Sequence, residues 1–363
     1  MPDAVLTPRM AREARFPVLD SLRGLFVVAI VLLHYHHPEF LTTSRLAVCF
    51  FFMASGFLLE WRHGADTPGM SWRAFTLPRV AFLYLIHWFA LLLLVVPHHG
   101  EFMASRASFW PHVLLLQSWC SDMDAVFAYN DVAWFLSALV PCYLLYVPLS
   151  RLLARTGSRV WLAVLAVAMV ALGVVLWHLD EVARRYCYVL PALRVLDFAL
   201  GMALARLVPQ LCARAQGLGV SARTLIDVLL LAVCLFLLVT SDTVAALKPF
   251  SDVLVWWVPT ALVLAAIAVF NARRGALGRV LAWRPLVWLG TVSMEVYLFQ
   301  HVAGGIVNYG LNPLLAHFGL RPPHIGAYLT LLVLLPLAWL LHRYVSRPLR
   351  RWLLRACHSS TES

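Results

Sequence analysis

Three ionisable residues lie in the first apolar stretch of the chain, where charge is costly and by default marks a functional site. Asp20 and Arg23 are three residues apart and are placed to form an ion pair on one helix face. His34 follows Arg23 by eleven residues, which returns to the same face about 16 Å further along the helix axis. A guanidinium binds anionic groups, and an imidazole that titrates near neutrality can take up or release a proton. The spacing therefore predicts an anion site and a base at opposite ends of one helix.

Two other interpretations of His34 stay open. His34 can belong to an interfacial cluster with His36 and His37, because amphipathic side chains are common near membrane surfaces. The His-Tyr-His-His run also contains metal-ligand types, but the acidic or cysteine partners that a metal needs are not found at ligand spacing. We therefore expect no metal site.

Small polar and basic residues interrupt the second and third apolar stretches. Ser55 and Gly56 stand among bulky aromatic residues, where they allow either a ligand or another helix to approach closely. Arg79 directly follows Pro78 and is predicted to open the third helix, with Arg73 a few residues before it. Both arginines are candidates for binding an anion.

Two further pairs of ionisable residues lie later in the chain. Arg194 and Asp197 are three residues apart in the sixth stretch, where they can neutralise each other. Glu295 and His301 are six residues apart in the ninth stretch, so they face opposite ways and are not expected to act as a pair.

The composition places the chain in a lipid bilayer. Apolar residues make up 62% of the 363 residues, charged residues make up 13%, and the mean hydropathy is +0.79. These values exclude a soluble enzyme, a nucleic-acid-binding module and a disordered chain. The net charge of +11 is assigned to cytoplasmic loops and not to a nucleic-acid partner. We predict an all-α polytopic membrane protein.

Hydropathy and helical periodicity predict about ten transmembrane helices in one domain. A shorter apolar piece from Phe109 to Trp119, within the long segment 98–129, is expected to lie at the interface. Residues 1–17 and 348–363 are predicted to be cytoplasmic tails around a membrane domain at 18–347. The predicted spans are 18–37, 46–62, 78–97, 130–150, 159–178, 189–208, 224–240, 252–270, 285–308 and 325–345.

The basic residues predict the orientation of these spans. If the N-terminus is cytoplasmic, 22 of the 29 lysines and arginines fall on the inner side. Every inner loop then carries at least three of them. The distribution predicts an N-in, C-in topology.

Several runs resemble the acyltransferase 3 family of integral membrane O-acyltransferases. The likeness covers nearly the whole chain, and the order and spacing of the motifs carry it more than any single motif does. The runs are Leu19-Asp20-Ser21-Leu22-Arg23-Gly24 with His34, Phe51-Phe52-Met53-Ala54-Ser55-Gly56-Phe57, Phe198-Ala199-Leu200-Gly201-Met202, Leu289-Gly290-Thr291-Val292-Ser293-Met294-Glu295-Val296-Tyr297-Leu298-Phe299-Gln300-His301 and Tyr344-Val345-Ser346-Arg347-Pro348.

The chain departs from the family pattern at three places. Many members carry two arginines three apart at the start of the third helix, where this chain has Arg79 and Phe82. Many also read Trp-Ser-Leu-Ser-x-Glu in the next helix, where the run from Trp134 ends in Leu139 and lacks the Glu. Ser346 replaces a Glu common before the last proline. These departures bear on the identity of the acceptor more than on the type of reaction. The sequence does not indicate which acid replaces the missing Glu.

The resemblance implies transfer of an acyl group, usually acetyl, from cytoplasmic acyl-CoA to a hydroxyl of a cell-envelope glycan, a lipid-linked sugar or a similar acceptor. Acetyl-CoA would be a co-substrate, no cofactor would be tightly bound, and the bacterial inner membrane would be the location. A separate periplasmic partner can complete transfer outside. The residues expected to take part are catalytic His34, Arg23 and Asp20, donor-binding Arg23, Arg79, Arg73, Ser55 and Gly56, and supporting Trp134, Arg194, Asp197, Glu295 and His301.

Two alternatives differ in class. A transporter or flippase of a polar or anionic substrate would use Asp20, Arg23, Arg194 and Glu295 to line a path, but the sequence has none of the repeat symmetry typical of transporters. A non-catalytic membrane partner of a glycan-synthesis complex would fit the missing Glu, but it leaves Arg23 and His34 unexplained.

Overall fold

The structure, a computed structural model, describes residues 15–35, 37, 40–95, 106–241, 243–244, 246–250, 253–271, 274–319 and 326–359. Over these ranges the secondary structure is helical and contains no strand. The predicted all-α class is therefore confirmed. His36 and most of the predicted N-terminal tail lie outside the described residues.

The described part of the chain contains seventeen α-helices. They are α1 (Pro17–His34), α2 (Leu41–His63), α3 (Trp72–Val95), α4 (Arg106–Val113), α5 (Met123–Phe127), α6 (Trp134–Thr156), α7 (Ser158–His178), α8 (Glu181–Val189), α9 (Pro191–Ala215), α10 (Val220–Thr240), α11 (Trp257–Val269), α12 (Ala276–Leu281), α13 (Arg284–Thr291), α14 (Ser293–Gly305), α15 (Asn312–His317), α16 (Gly326–Leu341) and α17 (Arg347–Ser359).

Eight helices of the described chain are long and apolar enough to cross a membrane, and they match predicted spans one to seven and ten. The predicted eighth span is a shorter apolar segment, Leu254–Val269. The predicted ninth span is broken into α13 and α14, because Val292 turns out of helical geometry with φ −103° and ψ 7°. The predicted N-in, C-in orientation stays a prediction.

The third helix begins at Trp72, six residues before its predicted start. Pro78 lies inside α3, where it removes one backbone donor near the helix N-terminus without ending the helix. Arg79 therefore lies in the second turn of α3 and does not open it.

Paired glycines bring the helices that carry the polar residues into close contact. A Cβ atom on Gly56 of α2 would collide with the backbone carbonyl of Phe198 on α9, and one on Gly201 of α9 would collide with the carbonyl of Met53. Small residues allow such close backbone approach between membrane helices. Gly290 of α13 meets the backbone carbonyl of Asp20 in the same way. This second crossing fixes the first turn of α1 against the break between α13 and α14.

The Gly56→Ala variant is expected to unfold at a lower temperature than the wild type. The added methyl group must push apart two packed backbones, and overpacking of this kind typically costs about 1–3 kcal/mol. The measurement is the Tm of the purified protein in detergent. Gly69→Ala is the matched control, because open space surrounds Gly69. Equal Tm values for the two variants would contradict the close packing.

From Arg106 onward, where the structure describes it, the segment between the third and fourth spans forms short helices and not a span, as predicted. Three side chains of α3 donate hydrogen bonds to backbone carbonyls of this segment: Tyr84 to Leu114 at 2.7 Å, His87 to His112 at 2.9 Å and Trp88 to Val113 at 2.8 Å. On its other side, the Ser118 hydroxyl donates to the Trp134 carbonyl at 2.9 Å. The segment thereby holds the start of α6 in place.

The described residues of the predicted tail 348–363 belong to α17. A short π-helical turn, His342–Ser346, connects α16 to α17, and α17 packs against α3. This packing brings arginines of the predicted tail 348–363 beside the third helix.

Candidate active site

Three ionisable side chains from different helices meet where α1 ends. The Nε2 atom of His301, on α14, lies 2.5 Å from Oδ1 of Asp131, in the turn before α6. The Nε2 atom of His34 lies 3.9 Å from the other oxygen, Oδ2. The two imidazole rings meet edge to face, with centroids 5.7 Å apart. One carboxylate thus lies between two imidazoles, and these three residues are called the histidine cluster below.

The hydrogen bonds of His34 assign its tautomer. Its Nδ1 atom lies 2.8 Å from the carbonyl oxygen of Ile30. A carbonyl oxygen only accepts, so Nδ1 carries the hydrogen and Nε2 keeps a lone pair. Nε2 can therefore accept a proton, and the carboxylate of Asp131 stabilises the imidazolium that results. The side chains of His34 and Asp131 remain 26% and 33% exposed, so a substrate can reach them.

Backbone contacts on both sides of His301 hold the histidine cluster together. The Tyr35 hydroxyl donates to the carbonyl oxygen of Gln300 at 2.8 Å, which ties the end of α1 to α14. The Asn130 amide donates to the carbonyl oxygen of Leu298 at 3.2 Å, which ties the turn before α6 to the same helix. Both partners of His301 are thus positioned by the helix that carries it.

Asp131 is not among the site residues predicted from the sequence. The local signal was weak, because Asp131 has no ionisable neighbour at helical spacing. His301 was expected only as a supporting residue, and the prediction that it does not pair with Glu295 is confirmed. Glu295 instead lies 3.0 Å from the Nδ1 atom of His342.

A group of arginines lies at the opposite end of α1. The Nη1 atom of Arg23 lies 3.9 Å from Oδ1 of Asp20, as the spacing predicted, and the Arg23 side chain remains 31% exposed. Arg23, Arg79 and Arg350 all lie in the surroundings of Tyr143. These three arginines are called the arginine cluster below.

Two aromatic rings of α3 contact members of the arginine cluster. The guanidinium of Arg79 lies 3.6 Å from the centroid of the Phe75 ring and donates to the Phe75 carbonyl at 2.7 Å. Arg350, from α17, lies 4.6 Å from the centroid of the Phe82 ring. Among the described residues, no carboxylate lies within salt-bridge distance of Arg79 or Arg350. The cluster therefore has an excess of positive charge that an anion would neutralise.

Three of the expected donor-binding residues take separate positions. Arg73 is exposed in the first turn of α3, and six residues separate it from Arg79, so the two arginines are on different faces. Gly56 faces the backbone of α9, which corrects the expectation that it faces a donor. The Ser55 hydroxyl donates to the carbonyl of Phe51 at 2.7 Å and remains half-buried.

The other expected supporting residues lie in the core. Arg194 and Asp197 are both fully buried, with Nη1 and Oδ2 2.7 Å apart, so their predicted pairing is confirmed. Trp134 is buried with its ring centroid 5.1 Å from that of Tyr188. Within the ranges that the structure describes, no group of three or more histidine, cysteine, aspartate or glutamate side chains is arranged to hold a metal ion.

A multi-pass membrane protein with a histidine cluster at one end of a helix and excess positive charge at the other has side chains of the kinds that acyl transfer needs. A family model described as an acyltransferase domain matches residues 16–343. The chain belongs to this acyltransferase 3 family, and it is an acyltransferase enzyme of the membrane.

Acyltransferase MdmB of Streptomyces mycarofaciens is 27% identical over 334 residues, which cover 82% of this chain and 81% of the relative. No solved structure matches the chain. The family and this relative support the acyltransferase class over the transporter and the non-catalytic partner.

Proposed function

We propose that the enzyme transfers an acetyl group from cytoplasmic acetyl-CoA to a hydroxyl of a cell-envelope glycan or a similar acceptor, in the bacterial inner membrane. The observation that carries this proposal is the pair of clusters at the two ends of α1. The arginine cluster suits a polyanionic donor, and the histidine cluster suits a hydroxyl acceptor. The predicted N-in, C-in orientation would give the donor access from the cytoplasm.

The arginine cluster would bind the phosphates of CoA. Arg23, Arg79 and Arg350 share the surroundings of Tyr143, and only Arg23 has a carboxylate nearby among the described residues. Guanidiniums bind phosphates with two parallel hydrogen bonds, which also orients the ligand. The predicted distance along α1, about 16 Å, is of the order of the extended thioester arm of CoA.

His34 would act as the general base. Its Nε2 atom takes the proton of the acceptor hydroxyl while the hydroxyl oxygen forms a bond to the thioester carbonyl carbon. The bond between that carbon and sulfur then breaks, and the CoA thiolate takes the proton back from His34. Asp131 stabilises the imidazolium between these two steps. His301 donates to Asp131 and so keeps the carboxylate turned toward His34.

The proposal is tested by comparing the mass spectra of envelope glycans from cells with and without the gene. Deletion is expected to remove the mass of one acetyl group from a glycan, and the wild-type gene is expected to restore it. A gene that encodes His34→Ala, expressed at the same level, is expected not to restore it. Unchanged glycan masses with lost export of a metabolite would contradict the proposal and favour a transporter.

The Arg350→Gln variant is expected to raise the KM for acetyl-CoA about tenfold with little change in kcat. The substitution removes a charge-assisted hydrogen bond to a phosphate, and such bonds typically contribute about 1.5–3 kcal/mol. Initial rates at varied acetyl-CoA concentration in membrane vesicles provide the measurement.

Arg355→Gln is the matched control for Arg350→Gln, because Arg355 is an exposed arginine on the same helix outside the arginine cluster. Its KM is expected to equal that of the wild type. A similar rise in KM for both variants would show a general effect of charge and would remove Arg350 from the donor site.

A further inference from the structure

Aromatic rings form a layer next to the histidine cluster. The layer lies on the side where α6 continues from Phe135 toward Tyr143 and the arginine cluster. Phe135 follows Asp131 by four residues on α6, and Tyr297 precedes His301 by four residues on α14. Four residues correspond to about one helical turn, or about 6 Å along the axis. Because α6 leads away from the histidine cluster and α14 leads toward it, both rings lie on the same side of that cluster.

Phe135 is at the centre of this layer. Its ring centroid lies 4.4 Å from that of Phe52, 5.5 Å from that of Tyr297 and 6.1 Å from that of Phe51. Its neighbour Phe52 is fully buried, whereas Phe135 is only half-buried. Phe135 therefore has a surface that the surrounding rings leave uncovered.

This layer lies between the two clusters that the proposed function connects. In the proposed function a donor bound by the arginine cluster brings its thioester carbon to His34, about one helical turn from the aromatic rings. An acyl tail that extends from that carbon then competes with the rings for space. Tightly packed interiors tolerate the addition of even one methylene poorly. A two-carbon acyl group needs little room there, and each additional methylene needs more.

We propose that Phe135 limits the acyl donor to short-chain acyl-CoA by filling the space that a longer chain would occupy. The inference rests on the proposed function and deepens it, because it names the property of the donor that this site selects. Phe135 would be a specificity-determining residue and not a catalytic one. Replacing its ring with a small side chain is expected to open a chamber lined by Phe51, Phe52 and Tyr297.

The test measures donor selectivity by competition. Radiolabelled acetyl-CoA is bound to the full-length protein in detergent and displaced by unlabelled acetyl-CoA or unlabelled hexanoyl-CoA. In the wild type, hexanoyl-CoA is expected to bind at least tenfold more weakly than acetyl-CoA. In Phe135→Ala the difference is expected to fall to within twofold, because the four extra methylenes can then be buried.

Two further variants keep the test independent of folding defects. Phe135→Leu is expected to give an intermediate difference, since leucine retains part of the volume. Phe89→Ala is the matched control, because Phe89 is also half-buried and packs against an aromatic residue of α14. Its ring centroid lies 5.9 Å from that of Phe299. This control is expected to keep the selectivity of the wild type.

The outcomes separate the inference from the proposed function. Binding of acetyl-CoA with the same selectivity in Phe135→Ala as in the wild type would overturn the inference alone. Tight binding of hexanoyl-CoA by the wild type would do so as well. Failure of the wild type to bind any acyl-CoA would overturn the proposed donor and the inference with it.

Discussion

The His34→Gln variant is expected to lower kcat for acetyl transfer by a factor of about 10²–10⁴ while leaving acetyl-CoA binding unchanged. This range is typical of the loss of a general base, and the glutamine side chain cannot take up a proton at neutral pH. In the proposed mechanism the donor binds through the arginine cluster at the other end of α1, so its affinity is not expected to depend on His34. Rates of acetyl transfer and equilibrium binding of labelled acetyl-CoA provide the two measurements.

His178→Gln is the control for this prediction, because His178 is an exposed histidine at the end of α7. It is expected to retain the full rate. If His34→Gln keeps more than half of the wild-type kcat at equal expression, another group removes the proton and the assignment of His34 as the base is wrong. If the variant loses donor binding instead, His34 acts in binding and not in proton transfer.

The Asp131→Asn variant is expected to lower kcat by about 10²-fold or more. The carboxylate stabilises the imidazolium form of His34 and accepts a hydrogen bond from His301, and an amide does neither equally well. Where an aspartate orients a catalytic histidine, replacing that aspartate by asparagine lowers kcat by about 10⁴. The measurement is kcat together with KM for acetyl-CoA, and only kcat is expected to change.

Two companion variants separate positioning from simple structural damage. Asp131→Glu is expected to recover part of the lost rate, because it restores the carboxylate at a slightly different position. Asp124→Asn removes an exposed acid a short distance earlier in the chain and is expected to have no effect. A fully active Asp131→Asn would show that the contacts among His34, Asp131 and His301 have no role in catalysis.

Features that depend on local spacing could be predicted from the sequence. The helix that carries Asp20, Arg23 and His34 was expected at 18–37 and is found at Pro17–His34. The pairing of Arg194 with Asp197 followed from a separation of three residues. Both predictions need only the geometry of a single helix, and that geometry is the same in any fold.

Features that depend on how helices cross could not be predicted. Asp131 and His301 are 170 residues apart in the chain. They meet where the hydrogen bond from Asn130 to the Leu298 carbonyl joins the turn before α6 to α14. Arg350 was assigned to a tail because its contact with Phe82 depends on α17 folding back against α3.

The same limit explains the corrections. Gly56 was assigned to the donor site because a glycine among aromatic residues permits either a ligand or a helix to approach. Only the position of Phe198 on α9 decides between the two. The break in the predicted ninth span likewise occurs at Val292, a residue type that does not by itself end a helix.

We propose that one site joins a CoA donor at the arginine cluster to a hydroxyl acceptor at His34. The most direct measurement supplies acetyl-CoA labelled in its acetyl group to inverted membrane vesicles and follows the label into the envelope glycan fraction. Labelled glycan is expected with the wild type and none above background with His34→Gln, although both proteins are expected to bind the donor equally. Equal labelling by the two proteins would contradict the proposal.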